Sequence, residues 1–332
     1  MSEAHLPVMV DEIVELFRPV PAGAVIDATV GAGGHARALL DATGHLEVIG
    51  LDRDADALAE AAGALAPFGD RAVLRQARFD RMTAMVAELG LDAVSGVLFD
   101  LGVSSMQLDR SERGFSYRAD GPLDMRMDPG QDTTAADVVN GYPEAHLAGV
   151  LHRFGGERFS RRIAAAIVAA RPLDGTAALA EVIRTAIPAP ARRRGGHPAK
   201  RSFQALRIEV NGELAVLPAA LDQALALLAP GGRCAVLAYH SGEDRIVKAR
   251  FVDADTGGCR CPPGLPCGCG AVPEARLLWR GARRPTPEEI ARNRRAESAR
   301  LRAVEKVAGP ERPPERKAGP ERPPERKVED GT

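Results

Sequence analysis

Val25-Ile26-Asp27-Ala28-Thr29-Val30-Gly31-Ala32-Gly33-Gly34-His35 is the stretch on which the fold turns. A short apolar run ends in an acid, a glycine turn follows, and a helix opens directly behind it. Gly31, Gly33 and Gly34 carry no Cβ, so the backbone there can take positive φ and admit a ligand closely. A helix starting near Gly34 aims free N–H groups at the same place. A nucleotide-like cofactor is therefore the first expectation.

Gly31-Ala32-Gly33-Gly34-His35-Ala36 also satisfies the loose dinucleotide pattern G-x-G-x-x-G/A, with Asp52 closing a second strand about 20 residues on. Asp27 separates the cofactors. A dinucleotide would set an anionic pyrophosphate beside this carboxylate. At ~4 Å and an effective ε of ~20, two unit charges interact by about 4 kcal/mol. S-adenosylmethionine offers an ammonium and a sulfonium instead, so the acidic strand end favours S-adenosylmethionine over NAD.

Working outward, apolar runs and helical patterns alternate: strands at Ala24 to Ala28, His45 to Leu51, Arg71 to Gln76 and Ala93 to Phe99. Helices intervene at Gly34 to Asp41, Ala55 to Ala66 and Arg81 to Leu89, and a short one precedes Phe17. Such alternation predicts an α/β fold, a Rossmann-like, mostly parallel sheet with helices on both faces. From about Ser104 to Asn211 no convincing strand occurs, which predicts an inserted helical domain. The sheet resumes after a helix from Glu213 to Leu228 and a Pro230-Gly231-Gly232 turn, with a strand at Cys234 to Tyr239 and a helix at Glu243 to Val252. Candidate last strands lie at Ala275 to Trp279 and Ala299 to Val304. The division expected is residues 1–103 and 212–307 for the sheet domain, 104–211 for the insert and 308–332 for a disordered tail. That tail carries two copies of Ala-Gly-Pro-Glu-Arg-Pro-Pro-Glu-Arg-Lys, too charged and proline-rich to form a core.

A chain of 332 residues with 45% hydrophobic content can bury a substantial core. The formal net charge of −1 means that any nucleic-acid contact must come from local basic patches. No run of ~18 apolar residues and no basic-then-apolar leader is present, so neither a membrane span nor a secretory signal is expected, and a cytoplasmic location is.

Asp27, Asp52 and Asp100 end the first, second and fourth strands, and strand ends are where open α/β sheets bind ligands. Asp52 is placed to accept from ribose hydroxyls, and Phe79 is a candidate for packing on the adenine. Asp100-Leu101-Gly102-Val103-Ser104-Ser105-Met106-Gln107 follows the fourth strand, where a methyl acceptor must lie. It loosely resembles the acid-or-amide loop of amino-methylating enzymes, with Gly102 in place of a proline. Accepting hydrogen bonds from a target amine would leave its lone pair facing the methyl carbon.

Between Glu181 and Glu209 no acid occurs, while Arg192, Arg193, Arg194, Lys200, Arg201 and Arg207 do, interleaved with His197 and Phe203. These eight residues are a candidate RNA-binding face with a stacking group; a solvated charged face is the plain alternative. Cys259-x-Cys261 and Cys267-x-Cys269 could offer four thiolates to zinc, against a reduced cysteine-proline loop. Tyr239-His240-Ser241 follows the fifth strand. His240 is a candidate for touching substrate, unless the stretch merely caps the next helix through Ser241.

Several segments together resemble the bacterial 16S rRNA (cytosine(1402)-N(4))-methyltransferase family: the glycine turn, Leu51-Asp52-Arg53-Asp54, Asp100 to Ser105, Arg113-Gly114-Phe115-Ser116, Asp120-Gly121-Pro122-Leu123-Asp124-Met125-Arg126-Met127-Asp128, Arg201-Ser202-Phe203-Gln204-Ala205 and Glu243 to Lys248. The Asp120 to Asp128 stretch is the most specific of them. The resemblance covers about residues 5 to 306. It implies a class I S-adenosylmethionine-dependent methyltransferase interrupted by a helical domain that helps recognise 16S rRNA in the small ribosomal subunit, with no DNA or membrane partner. It also implies cofactor contacts at Gly33, Gly34, His35, Asp52, Phe79, Asp100 and Gln107. Arg294 and Glu297 depart from the pattern, the tail repeat has no counterpart in it, and the cysteine cluster matches only some members. An NAD-dependent oxidoreductase is disfavoured by Asp27 and by the lack of a hydride-transfer site. A non-catalytic RNA-binding protein is disfavoured by the intact acid-ended strands.

Overall fold

The computed structural model describes residues 7–192, 196–261 and 268–308. Helix α1 (Val10–Phe17) leads into β1 (Gly23–Asp27), α2 (Gly34–Ala42), β2 (Leu46–Asp52), α3 (Ala55–Leu65), β3 (Ala72–Gln76), α4 (Met82–Glu88) and β4 (Val94–Asp100). A helical stretch follows: α5 (Ser105–Asp109), α6 (Ala135–Gly141), α7 (Glu144–Gly155), α8 (Ser160–Ala169), α9 (Thr176–Ala186), α10 (Ala189–Arg192), α11 (Lys200–Asn211) and α12 (Glu213–Leu227). The chain then returns to the sheet with β5 (Leu228–Ala238), α13 (Ser241–Thr256), β6 (Ala275–Leu277), α14 (Pro287–Arg292) and β7 (Arg300–Lys306).

The strands form one sheet in the order β3-β2-β1-β4-β5-β7-β6. Pairing is parallel from β3 across to β5, whereas β7 runs antiparallel to both β5 and β6. Central strands are apolar on both faces because successive side chains alternate and helices cover each side. Ile26, Val97, Phe99 and Val236 face α4, α12 and α13, packing with Met82, Leu221 and Phe251. Val25, Leu98 and Leu237 face the other way, onto Ile13 and Phe17 of α1 and Leu39 of α2. Gly96 on β4 makes room for this packing, since a Cβ there would lie 2.4 Å from the Phe17 ring.

Most element bounds differ from the sequence expectation by a few residues, and two late strands show it best. Strand β5 begins at Leu228 and runs through Pro230-Gly231-Gly232 instead of starting after it. Its register against β4 shifts between Val94 and Gly96, and this irregularity absorbs the positive φ of Gly231. The last strand lies at Arg300–Lys306, shifted by one to two residues toward the C-terminus.

Between β4 and β5 the described residues add no strand to the sheet. They carry a hydrophobic cluster of their own, drawn from Phe115 to Val210 and centred on α6 to α9 and α11. The link back to the sheet domain is polar. Asn211 donates to Met125 O at 2.8 Å and accepts from Met127 N–H at 2.8 Å, and its own carbonyl accepts from Arg53. Gly212, with φ of 60°, then turns the chain from α11 into α12. Among the described residues no helix is long and apolar enough to cross a membrane.

Candidate cofactor and substrate site

The parallel strands bring the C-terminal ends of β1, β2 and β4 to one edge, and with them Asp27, Asp52 and Asp100. The glycine turn is pinned from β2: Gly31 N–H donates to Asp52 Oδ2 at 2.9 Å, and Asp54 N–H donates to Asp52 Oδ1 at 2.9 Å. A carboxylate has about four acceptor sites, so Asp52 keeps capacity for a hydroxyl donor. Gly31 and Gly33 have φ of 53° and 84°, in the left-handed region that a side chain resists. A Cβ on Gly33 would sit 3.3 Å from the Ala61 Cα of α3, and one on Gly34 would sit 2.6 Å from Pro7 Cγ. The turn is thus clamped between α3 and the leader before α1.

Asp27 is 1% exposed. Its Oδ1 accepts from Thr29 N–H at 3.3 Å, and its Oδ2 has no hydrogen-bond partner. Burial, with the charges of Asp100 and Asp52 nearby, raises its pKa to about 7 against the pull of His35. Burial likewise pushes Asp52 up. An orphaned, buried acid beside a glycine turn fits the ammonium or sulfonium of S-adenosylmethionine, whose charge favours its carboxylate form.

Asp100 sits at the centre of a network. Its backbone N–H donates to Thr29 Oγ1 at 2.6 Å, and its Oδ1 accepts from the Tyr239 hydroxyl at 2.6 Å. Its Oδ2 lies 3.5 Å from His35 Nδ1. The opposite ring nitrogen, Nε2, meets the Val8 carbonyl at 2.9 Å, and since a carbonyl only accepts, that nitrogen carries a proton. His35 therefore ties the leader to Asp100. Burial and the Asp100 carboxylate hold the Tyr239 phenol well above its ordinary range, so it stays a donor.

Gln107 lies on α5, where Ser104 and Gln107 form a reciprocal capping box. Its side-chain amide donates to Asp54 Oδ2 at 2.9 Å, and Arg113 donates to the same oxygen at 2.9 Å. The loop after β4 is in this way fastened to the start of α3. Phe79 is 8% exposed and meets Phe99 edge-on, with ring centres 5.8 Å apart. Most of its ring belongs to the core, which leaves little surface for a ligand.

Three sequence expectations need correction. His240 is itself the N-cap of α13, its Nδ1 accepting from Gly242 and Glu243 N–H, while Glu243 Oε2 accepts from Tyr239 and His240 N–H. That geometry gives Nδ1 to capping and sets Nε2 3.1 Å from Glu243 Oε1, and Ser241, the cap expected from the sequence, is already inside the helix. Burial pushes Glu243 up, but the hydrogen bond from His240 and the charges of His240 and Arg207 outweigh it and keep its pKa low. Phe203 is 3% exposed and packs edge-on beneath Tyr117, so it has no free face for a base. Arg207 is committed to Glu213 through two hydrogen bonds of 2.8 Å.

Of the remaining basic stretch, His197, Lys200 and Arg201 are exposed and Arg192 is half-buried, while Arg193 and Arg194 lie outside the described residues. His197 stacks on Tyr117 with centres 4.3 Å apart, and the exposed Arg118 adjoins them. Burial and the Arg118 charge lower the His197 pKa, which favours the neutral ring. Sequence reasoning missed Thr29, Tyr239, Asp54 and Arg113. Tyr239 carried a signal as the residue directly after the fifth strand, and Asp54 and Arg113 stood in segments that carry the family resemblance, but none was named for these contacts.

Seven strands in the order β3-β2-β1-β4-β5-β7-β6, with a glycine turn after β1 and acids at three strand ends, define a class I S-adenosylmethionine-dependent methyltransferase. The MraW methylase family matches residues 2–307. Ribosomal RNA small subunit methyltransferase H of Mycobacterium sp. (strain KMS) is 56% identical over 314 residues, covering 92% of this chain and 84% of that protein. The protein of the same name from Thermobifida fusca (strain YX) is 52% identical over 316 residues, covering 93% and 95%. The chain belongs to the MraW methylase family. Among solved structures, an rRNA methylase from Streptococcus thermophilus is 12% identical with a TM-score of 0.40, covering 90% of this chain and 94% of that one. A likeness that low adds nothing to the assignment, which rests on strand order and family.

Proposed function

We propose that this methyltransferase acts on the exocyclic N4 amine of cytidine 1402 in 16S ribosomal RNA, within the small subunit in the cytoplasm. The Asp100 network carries the proposal: a carboxylate at the β4 end, aimed by Tyr239 and His35, directly beside the cofactor turn. S-adenosylmethionine supplies an electrophilic methyl group on a sulfonium. Asp27, Gly31, Gly33, Gly34, His35 and Asp52 form its cradle, and Gln107 holds the adjoining loop. Phe79 contributes at most an edge. Asp100 accepts from an amine N–H, which turns the nitrogen lone pair toward the methyl carbon.

The route is direct transfer. Methylation at C5 of cytosine requires a nucleophile, commonly a cysteine thiolate, to add at C6. Cys234 lies fully buried inside β5, and burial pushes its thiol well up, so it is neither accessible nor ionised. The other described cysteines follow α13, beyond the crevice residues in the chain. Incubating the purified protein with methyl-labelled S-adenosylmethionine and small subunits from a strain lacking this enzyme tests the substrate. Label at the decoding-region cytidine is expected; label on naked RNA only, or on another base, would overturn the assignment.

Cofactor affinity should depend on pH through Asp27. Below about 7 its carboxyl holds a proton in the ligand-free protein, and a cationic ligand favours the carboxylate, so binding releases that proton. Affinity should rise by up to about tenfold per pH unit as pH climbs to about 7, then level off. The sign for stability is opposite. A raised carboxyl pKa stabilises the fold most below its ordinary value of 3.8, and that contribution is lost as pH rises through about 7. Calorimetry across pH checks this, and Asp27→Asn should abolish the slope.

The exposed Arg118, His197, Lys200 and Arg201, with the half-buried Tyr117 and Arg192, form the face we assign to RNA. Arg192→Ala, Lys200→Ala and Arg201→Ala together should reduce the salt dependence of RNA binding by roughly 0.7 to 0.9 log units per lost phosphate contact. Cofactor affinity should be unchanged. An unaltered salt slope would mark the stretch as a solvated face.

A further inference from the structure

We propose that Cys259, Cys261 and Cys269 hold a structural zinc ion in the loop between α13 and β6. Their sulfur atoms all lie within 4.8 Å of one another, and Cys269 Sγ is 3.5 Å from Cys259 Sγ. A tetrahedral zinc with Zn–S bonds of about 2.3 Å places its sulfurs about 3.8 Å apart, so small shifts bring the three onto one ion. The backbone N–H of Cys261 donates to Cys259 Sγ at 3.4 Å. Such a bond stabilises a thiolate more than a thiol, because the charged sulfur is the stronger acceptor.

Among the described residues of this loop, Arg260, Gly268, Cys269, Gly270 and Val272 are exposed and none is fully buried. Zinc is a staple that small, solvent-exposed loops use. The base of the loop is closed by the protein itself. Gly258 N–H donates to Asp253 O at 3.0 Å, Glu274 N–H donates to Ala254 O at 3.0 Å, and a Cβ on Gly257 would strike the Val272 backbone at 2.5 Å. The ion ties the Cys259–Cys261 arm to Cys269.

Three thiols bind as thiolates and pass their protons to solvent, and one tetrahedral position remains for a further ligand. Cys267, the fourth cysteine of the sequence pattern, lies outside the described residues. The inference stands apart from the RNA assignment, since it uses no crevice residue.

Full-length protein, produced with zinc in the medium and kept reduced, should contain about one zinc per chain by elemental mass spectrometry. Exchange with Co²⁺ should give the ligand-field and sulfur-to-cobalt charge-transfer bands of a tetrahedral thiolate site. The Cys259→Ser, Cys261→Ser, Cys269→Ser variant should lose both the zinc and the bands while binding S-adenosylmethionine as before, which shows that it is folded. Less than about a tenth of a zinc per chain with no cobalt bands in the unaltered protein would overturn the site. So would a Cys259–Cys269 disulfide in freshly isolated protein.

Discussion

Asp100→Ala should lower turnover by roughly 10²–10⁴-fold, the range expected when a group acting on the transferred proton or its donor is removed. Asp100 Oδ1 accepts from the buried Tyr239 hydroxyl, and its other oxygen faces His35 Nδ1. Truncation therefore removes the contact to the amine and also strands a buried phenol, at a cost of about 1–3 kcal/mol. Asp100→Asn separates these effects: its amide oxygen still accepts from Tyr239, while its charge is gone. It should fold like the parent and remain slow. Tyr239→Phe leaves the carboxylate in place but unaimed, so kcat should fall by less, with cofactor affinity little changed. If Asp100→Ala retains full single-turnover rates under saturating cofactor, the carboxylate is not at the reacting centre.

Gly33→Val should abolish measurable cofactor binding. The φ of 84° costs a side chain roughly 1–2 kcal/mol, and a β-branched one at the upper end. A Cβ 3.3 Å from the Ala61 Cα also forces α2 and α3 apart, and overpacking of that kind costs about 1–3 kcal/mol. If the turn relieves both by leaving its ligand-ready shape, affinity falls by about two orders of magnitude or more. Gly34→Ala acts differently, since its Cβ collides with Pro7 and displaces the leader that His35 holds through Val8. Calorimetry with S-adenosylhomocysteine measures both. Undiminished affinity of a folded Gly33→Val protein would mean that the ligand lies elsewhere.

The sheet was legible because β1, β2 and β4 are short apolar runs closed by an acid, flanked by glycine or helix signals. The alternation Ala24-Val25-Ile26 needs covering on both faces, and only a layered α/β fold supplies that. What escaped was set by period and by distance. Phe203 and Arg207 are four residues apart on α11 and share its inner stripe with Leu206 and Val210, while Arg201 faces outward. Counting charges along the stretch ignored that 3.6-residue period. Tyr239 and Thr29 reach Asp100 from other strands, and Arg113 reaches Asp54 from the helical stretch. Such pairings appear only once the strands are in register. His240 escaped as a cap because its ring nitrogen takes the role usually given to Ser, Thr, Asp or Asn.

Direct transfer to an exocyclic amine is tested most plainly by the product itself. Small subunits from a strain lacking the enzyme are methylated with the purified protein, the RNA is digested to nucleosides, and the methylcytidine isomers are separated by mass spectrometry. The expected product is N4-methylcytidine, formed at the same rate by Cys234→Ser protein and with no protein–RNA adduct on substrate containing 5-fluorocytidine. Recovery of 5-methylcytidine, or a stable adduct with the fluorinated RNA, would contradict the mechanism.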